Sequence, residues 1–444
     1  MDMHQKFTLK LSAQLPGEGF SLDELVIETK KLFETEGMVG FLRVVLILLD
    51  HIVYPSCLGA SKAKCCKKPY FVVCRSEEKN LRTSVGALVL RWTRLRCESC
   101  KKSFIPLKEF LGLVRYQKKT NELERVITEV VSEQSYRRTS QHLETIGEIP
   151  VPHTTLHRWV MKSESVEIDQ KMRVESLVAD GTGFKKKPFI DGSNRGEMKI
   201  VIGITKDKKL VPYGAWGDRS WWKIGSEIKK ANHSTDKIAF KPIAKMLVSD
   251  GEEELIDGLK RLTQEQQRCT WHIPYGLGPL LRKEGVGKEQ IQEIKSDLYG
   301  IINIELPKKD CQEVKLEDKL ELEKRTWEAE KQLDVLINEF LERGYRTAAR
   351  YLQNAKDKMF SYVRSWLKTG VVHPRVTSQI ERMMREIGRR IKKIGHGWSP
   401  EGAERITRII IRRITSPVEW DNHWKEKMRI TGNVKLNFLG CEMI

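Results

Sequence analysis

The sequence predicts a mixed α/β protein whose sheet-forming core follows a small cysteine-rich segment and a helical unit. Three observations predict it. Between residues 176 and 281 short apolar runs end repeatedly at turns. Six of the nine cysteines fall between Cys57 and Cys100, and residues 283–370 are helical in pattern and densely charged. Strands that alternate with helix-sized stretches indicate a mixed sheet covered by helices.

At 444 residues the chain exceeds one ordinary domain, so two or three folding units are expected. Lysine and arginine total 79 against 60 acidic residues, a formal charge of +19 that favours a polyanionic partner such as nucleic acid. Residues 1–10 carry no apolar run after their charges, so no cleavable signal pattern opens the chain. The apolar stretch 38–54 contains Arg43 and Asp50 and falls short of the roughly 20 apolar residues of a bilayer span. It is expected to be a buried helix of a cytoplasmic protein with no membrane partner. The clustered cysteines argue for metal rather than a spread-out disulfide framework.

Taken in order, residues 1–50 form an N-terminal helical segment, with Ser21 and Glu24 spaced as a capping box before Leu25 and Val26, predicting a helix over 21–36. Residues 51–110 follow as a zinc-ribbon-like domain. Cys97-Glu-Ser-Cys100 places two thiolates at the spacing that reaches one tetrahedral Zn²⁺. A second pair is needed. Cys66 with Cys74 supplies it, or Cys57 with Cys65, whereas adjacent Cys65 and Cys66 are awkward as two ligands of one ion. The alternative is a set of reduced, buried thiols. Residues 83–97 alternate in the manner of strands, and Arg91, Arg94, Arg96, Lys101 and Lys102 would let such a ribbon grip phosphates.

Residues 115–165 read as three helical pieces, 121–133, 135–146 and 154–162, broken by Gly147 and the Pro150/Pro152 pair. Such a unit suits a helix-turn-helix DNA reader with His157 and Arg158 at the front of its third helix, or a plain helical spacer.

The apolar runs of the core are residues 176–180, 198–204, 209–215 and 244–250, followed by a helical 252–262. The first run ends in Asp180-Gly-Thr and the last in Asp250-Gly-Glu. A carboxylate at a strand end is rigidly held yet exposed, and phosphoryl chemistry uses hard oxygen ligands for Mg²⁺ or Mn²⁺. Asp-Gly is also an ordinary turn dipeptide, and Asp191-Gly192 is read as only that. The charged residues 283–370 read as solvated faces of long helices. A further helix begins after Pro374, where Thr377 or Ser378 can cap it, and carries Glu381 with Arg385 and Arg389 on one face. Between Glu381 and Arg413 ten Lys or Arg stand against four Glu. Glu386 is the rival to Glu381, and residues 417–444 are a C-terminal tail. Trp221 and Trp222 are either core aromatics or a stacking surface for an unpaired base.

Four motifs in this order resemble the Mutator-like DDE transposases of prokaryotic insertion sequences. They are Val178-Ala-Asp-Gly-Thr182, Val248-Ser-Asp-Gly251, Arg268-Cys-Thr-Trp-His272, and Ser378-Gln-Ile-Glu-Arg-Met-Met-Arg385 with the following Arg-rich stretch and Trp398-Ser-Pro-Glu401. The resemblance covers about residues 176–414. It implies a ribonuclease H-like core over 174–282 and 371–416, with 283–370 as a helical insertion. It implies Asp180, Asp250 and Glu381 as catalytic ligands of Mg²⁺ or Mn²⁺, with Cys269 and His272 as active-site support. Arg382, Arg385, Arg389 and Arg390 are then expected on backbone phosphates, and the cysteine segment resembles the zinc ribbons that precede related cores. The implied partners are double-stranded DNA, both the element's terminal inverted repeats and target DNA, and further copies of the chain. Two other classes stay open: a non-catalytic zinc-ribbon regulator, and a metal-dependent nuclease that cuts but never joins.

Overall fold

Alternating apolar residues in 71–97 form a long antiparallel hairpin, β1 (Phe71–Thr83) with β2 (Gly86–Cys97), and the two-residue strand β3 (Ser103–Phe104) extends it beyond β2. At its turn Thr83 Oγ1 donates to the Gly86 carbonyl at 2.9 Å and accepts the Val85 N–H at 3.3 Å. One face of the hairpin buries Leu81, Leu88, Leu90 and Trp92 together with Leu46 of α1 (Met38–Val53) and Leu107 of α2 (Pro106–Phe110). Asp50 of α1 accepts the Thr93 N–H at 3.0 Å and the Thr93 hydroxyl at 2.8 Å, which satisfies a buried carboxylate.

This computed structural model describes residues 33, 37–59, 65–147, 149–163, 167–187, 192–232, 241–307, 313–394 and 397–430. The helix expected over 21–36 lies outside them apart from Phe33, as does Asp191 of the Asp191-Gly192 turn; Gly192 itself has φ +74°. The buried helix expected over 38–54 is corrected. Only Leu46 and Asp50 of α1 are buried, while Val44 and Ile47 are exposed, because a helix lying on one sheet face covers a single stripe. With its 3₁₀ extension, Met38–Cys57 is long and apolar enough by length and composition to cross a membrane.

The chain divides into two compact units, residues 1–126 with 137–156, and residues 127–136 with 157–444. The boundary runs through the three expected helices, observed as α3 (Asn121–Glu133), α4 (Tyr136–Gly147) and α5 (His153–Met161).

The second unit is organised by a five-stranded sheet in the order β6-β5-β4-β7-β8. β4 (Ser176–Lys185), β5 (Arg195–Ile204) and β6 (Leu210–Gly217) form an antiparallel meander, while β7 (Ala244–Ser249) and β8 (Thr263–Arg268) run parallel to β4. The near-continuous apolar runs of β5 and β7 follow from burial on both faces. One face packs Leu177, Val201, Trp216 and Leu247 against α6 (Trp221–Asn232) and α7 (Glu253–Leu259). These two helices approach at Gly225 and Gly258, where a Cβ on Gly225 would overlap the Gly258 carbonyl.

Beyond β8 the chain is helical: α8 (His272–Lys283), α9 (Lys288–Ile302), α10 (Leu316–Glu342), α11 (Arg346–Lys356) and α12 (Ser361–Thr369). Because α8 packs with α9 and α11, the helical region begins at His272 and not at Lys283 as expected. α10 buries Leu322, Ala329, Leu333, Ile337 and Phe340 at helical spacing and leaves its charges in solvent, as its composition predicts. Gln267 of β8 ties this region to the sheet, accepting the Tyr362 N–H at 2.9 Å and donating to the Met359 carbonyl at 2.8 Å.

The chain then forms α13 (Ser378–Gly388), a π-helical turn (Arg389–Lys393), α14 (Pro400–Thr415) and α15 (Pro417–Met428). The tail expected from residue 417 is corrected over α15. Its Trp420 and Trp424 are buried, and the Trp420 indole donates to Glu129 of α3 at 3.0 Å. Residues 431–444 lie outside the described residues.

Candidate active site and metal centres

The register of β4 decides where its carboxylate sits. Parallel pairing to β7 ends at Val178↔Val248, whereas antiparallel pairing to β5 continues to Lys185↔Arg195. Asp180 therefore lies in mid-strand, opposite Ile200, and not at the strand end that its apolar run predicts. The strand runs on because Gly181, Thr182 and Gly183 keep their partners on β5. On the β7 side Asp180 stands just past the last paired residue, where the sheet forks.

Asp250 occupies the other arm of the fork, directly after β7. Its carboxylate accepts the Glu252 N–H at 3.0 Å, and Gly251 takes φ +94°, so a tight turn replaces the strand. Gly251 is required twice over. Its φ disfavours any side chain, and a Cβ there would overlap the Arg268 guanidinium, which lies across the turn. That guanidinium donates to Tyr351 Oη at 3.3 Å, while its buried Nε has no hydrogen-bond partner among the described residues.

Glu381 arrives from the first turn of α13. Thr377, 1% exposed, stands at the N-cap position, but the expected side-chain capping bond is not formed; its carbonyl accepts the Glu381 N–H at 3.0 Å as the first bond of the helix. Its hydroxyl also donates to Glu381 Oε1 at 2.8 Å, and lies 3.4 Å from both Cys269 Sγ and His272 Nδ1. Cys269 is held in turn because its N–H extends the β7–β8 ladder onto the Ser249 carbonyl at 2.8 Å. One ligand atom from each of Cys269, His272 and Glu381 lies within 4.8 Å of the others.

Electrostatics join the three carboxylates. Burial, followed by the charges of Asp250 and Glu381, pushes Asp180 up to about 6, against the opposing pull of the Gly181 N–H and His272. Burial alone would raise the Cys269 thiol, but its hydrogen-bonding contacts with His272 and Thr377 outweigh it and hold the thiol below its ordinary value. Burial would likewise lower His272, yet Cys269, Asp250 and Glu381 together raise it. Glu252, which accepts the Trp221 indole N–H at 3.3 Å, is raised by burial and by its neighbours Glu197 and Asp250. Among the described residues the ligand atoms that come within 4.8 Å of one another here are those of Cys269, His272 and Glu381, and Asp180 and Asp250 stand outside that group. As hard oxygen donors, the three carboxylates are of the kind that binds Mg²⁺ or Mn²⁺.

Glu386, the rival to Glu381, points elsewhere: it is exposed and pairs with Arg389 at 3.2 Å. Of the cations expected to meet DNA, Arg382, Arg385 and Arg389 are exposed on α13 and the turn after it, and His157 and Arg158 are exposed on α5. Arg390 is corrected. It is 1% exposed, lies over the Trp398 ring, and donates to the carbonyls of Val131 at 2.8 Å and Ile394 at 2.9 Å. These bonds use its charge inside the unit, and phosphate cannot reach it. Trp221 is buried, and Trp222 is exposed on its own.

In the first unit Cys65, Cys66, Cys97 and Cys100 bring their sulfurs within 4.8 Å of one another. The pairs stand 3.4 Å apart for Cys65–Cys100 and 3.9 Å for Cys65–Cys66 and Cys66–Cys97. The expected ligand Cys74 is corrected. It is exposed on β1 beside the bulge between Val73 and Arg75, while Cys57 packs near the cluster without joining it. The adjacent pair Cys65-Cys66, judged awkward from sequence, supplies both sulfurs. Backbone N–H groups led by that of Cys100 hold the Cys97 thiol down to about 6, overcoming burial, so thiolate is favoured there. An all-sulfur set with a thiolate already favoured suits Zn²⁺.

No protein-family model matches the chain, and no curated protein matches it. Sequence reasoning did not reach Thr377's hydroxyl, Glu252 or Arg268 as parts of the carboxylate site. Thr377 was legible only as a cap, and the position of Arg268 depends on the glycine across from it.

Proposed function

We propose that the chain is a DDE transposase that binds the ends of an insertion sequence and catalyses metal-dependent DNA strand cleavage and strand transfer on a ribonuclease H-like core. The observation that carries this reading is the fork between β4 and β7, which presents Asp180 and Asp250 on neighbouring strands, with Glu381 near enough for its charge to act on partly buried Asp180. The antiparallel meander extended by two parallel strands, with carboxylates at the fork between β4 and β7, supports it. Asp180, Asp250 and Glu381 would hold Mg²⁺ or Mn²⁺. When bound, the ions supply Lewis-acid stabilisation of the attacking and leaving oxygens at phosphorus.

The chain's own residues then have distinct tasks. The fork presents Asp180 and Asp250 on separately anchored backbones. Thr377 fixes the rotamer of Glu381, and Cys269 with His272 fixes Thr377, which gives the Cys-x-x-His pair a role as support. Exposed Arg382 and Arg385 on the same helix meet backbone phosphates, and Arg389 does so at the expense of its Glu386 pair. The reaction consists of two in-line displacements, water at the element end and then the released 3′-hydroxyl on target DNA. In the first unit Cys65, Cys66, Cys97 and Cys100 would hold a structural Zn²⁺, and this unit, and separately His157 and Arg158 of the second, bind the terminal repeats. Several copies assemble on DNA.

The test uses labelled DNA carrying the sequences that flank the coding region, a target plasmid and Mg²⁺. Wild-type protein is expected to give both cleaved ends and joined product, and Asp180→Asn, Asp250→Asn and Glu381→Gln to give neither while still binding the ends. Cleavage that survives Asp250→Asn sinks the catalytic assignment. Cleavage without joined product assigns a nuclease instead.

A further inference from the structure

A cluster of exposed aromatic side chains stands beside the carboxylate site. Trp271, Tyr275 and Tyr299 are 47, 63 and 47% exposed. Such rings bury large apolar areas when they can, so three left together in solvent mark a surface that meets something. With Pro274, Gln292 and Lys295 they line an open groove of about 360 Å³, within the roughly 300–1,000 Å³ of ligand sites.

The groove offers flat aromatic faces. Trp271 and Tyr275, one helical turn apart at the start of α8, have near-parallel planes, 14° apart with centroids at 5.2 Å. Lys295 of α9 lies across Gly278, whose missing side chain makes the room, and its ammonium stands 5.8 Å from the Tyr275 ring. The polar lining residues are a cation, an amide, a hydroxyl and two phenols, with no carboxylate among them. Aromatic faces with a neighbouring cation are the chemistry that holds single-stranded nucleic acid, base on ring and phosphate on ammonium.

Position supplies the rest. Trp271 directly precedes His272, and its ring meets the imidazole edge-on at 4.8 Å. His272 in turn brings a ring nitrogen within 4.8 Å of a Glu381 carboxylate oxygen. A strand whose phosphate lies at the carboxylates therefore has its adjoining nucleotides beside the groove. We infer that the Trp271–Tyr275–Tyr299 groove stacks an unpaired nucleobase of the DNA strand engaged at the carboxylate site, an inference that rests on the DNA reading above. It moves the stacking role away from Trp221, whose indole is buried, and from Trp222, which has no aromatic neighbour among the described residues.

The experiment irradiates the full chain with a single-stranded oligothymidine bearing one iododeoxyuridine, without added divalent metal, and maps the crosslinks by mass spectrometry. Affinities for the same oligonucleotide are measured by fluorescence polarisation. Crosslinks are expected on Trp271, Tyr275 or Tyr299. Trp271→Ala should bind roughly ten-fold more weakly or worse, since stacking contributes about 1–3 kcal/mol per base. Trp271→Phe should retain most of the affinity, and Trp222→Ala should bind as wild type. Crosslinks confined to other residues, equal affinity of Trp271→Ala and wild type, or failure of wild type to bind the oligonucleotide each overturn the inference. Because no metal or cleavage enters this measurement, it can fail while the carboxylate variants still abolish strand cleavage. Conversely, groove binding can persist in a protein whose Asp250→Asn variant cuts normally, which removes the transposase reading alone.

Discussion

The chain carries two clusters of ligand-type side chains, and they are built in opposite ways. In the first unit four sulfurs come from two short stretches, Cys65-Cys66 and the Cys97–Cys100 knuckle at the end of one hairpin. In the second unit three carboxylates come from a strand, a turn and a helix that require the five-stranded sheet and the helical region beyond it. The titrations overlap. Backbone N–H groups hold Cys97 down, but burial and neighbouring thiols push Cys65 up to about 12, much as burial and like charges raise Asp180. The lesson is that the sulfur set is closed within one end of a hairpin, while the oxygen set exists only once a whole sheet and its helices are in place.

The hardest strain on that contrast is to remove one member of each set. Structural Zn²⁺ contributes about 10–16 kcal/mol of apparent binding energy in small zinc domains, so Cys97→Ser is expected to abolish Zn²⁺ uptake and open the cysteine end of the hairpin. Metal analysis and limited proteolysis read this out, and the second unit should stay protected. Equal Zn²⁺ content in Cys97→Ser would break the comparison. Asp250→Asn should do the reverse. Strand cleavage is expected to fall by about 10³-fold, several kcal/mol of transition-state stabilisation, with the melting temperature unchanged or raised because a repelling charge is gone.

A smaller effect sharpens the role of the groups around Glu381. Thr377→Val removes one hydrogen bond to a charged carboxylate, worth about 1.5–3 kcal/mol, and should raise the Mg²⁺ concentration for half-maximal cleavage by roughly ten-fold or more, while Thr377→Ser stays near wild type. If both variants need the same Mg²⁺ as wild type, the hydroxyl does not position Glu381.

The smallest effects separate the units by pH. In the first unit the Arg94 guanidinium, helped by Arg75, holds Glu77 down to about 2 despite partial burial. A depressed carboxylate contributes stability above its unfolded value near 4.5 and loses it as pH falls towards 2. In the second unit, without divalent metal, the raised Asp180 contributes stability that is complete below its unfolded value of 3.8 and is lost as pH rises through about 6. Comparing wild type with Glu77→Gln and with Asp180→Asn by denaturant melts across these windows should give differences of opposite slope, each about 1 kcal/mol after allowance for solvent screening. Parallel slopes would erase the distinction.

The fold was legible where local pattern and tertiary environment agree. The alternation in 83–97 produced the hairpin strand, and the apolar runs around 178, 201 and 247 produced sheet strands. Asp180 and Asp250 were legible from those runs, but the fork that brings them together was not, because it depends on where pairing between β4 and β7 stops. Glu381 was legible through the motif resemblance, whereas its hydroxyl partner needed three segments in space. The burial of Arg390 was half-written in the sequence: Ile380, Met383 and Ile387 form the inward stripe of α13, and the next inward step is residue 390 or 391. Reading the basic run as a charge patch hid that phase. Cys65-Cys66 was set aside because neighbouring side chains usually diverge, a rule that an irregular segment need not obey.

The close approach of Gly251 and Arg268 bears on how this site can decay. A point change of Gly251 to any larger residue would leave Asp180, Asp250 and Glu381 in place, yet it would displace the arginine and unseat the turn that presents Asp250. Such a sequence would still spell all three carboxylates while lacking the turn that presents one of them. An inventory of carboxylates is therefore a poor measure of whether this site is intact, and the residue with no side chain is the better one to inspect.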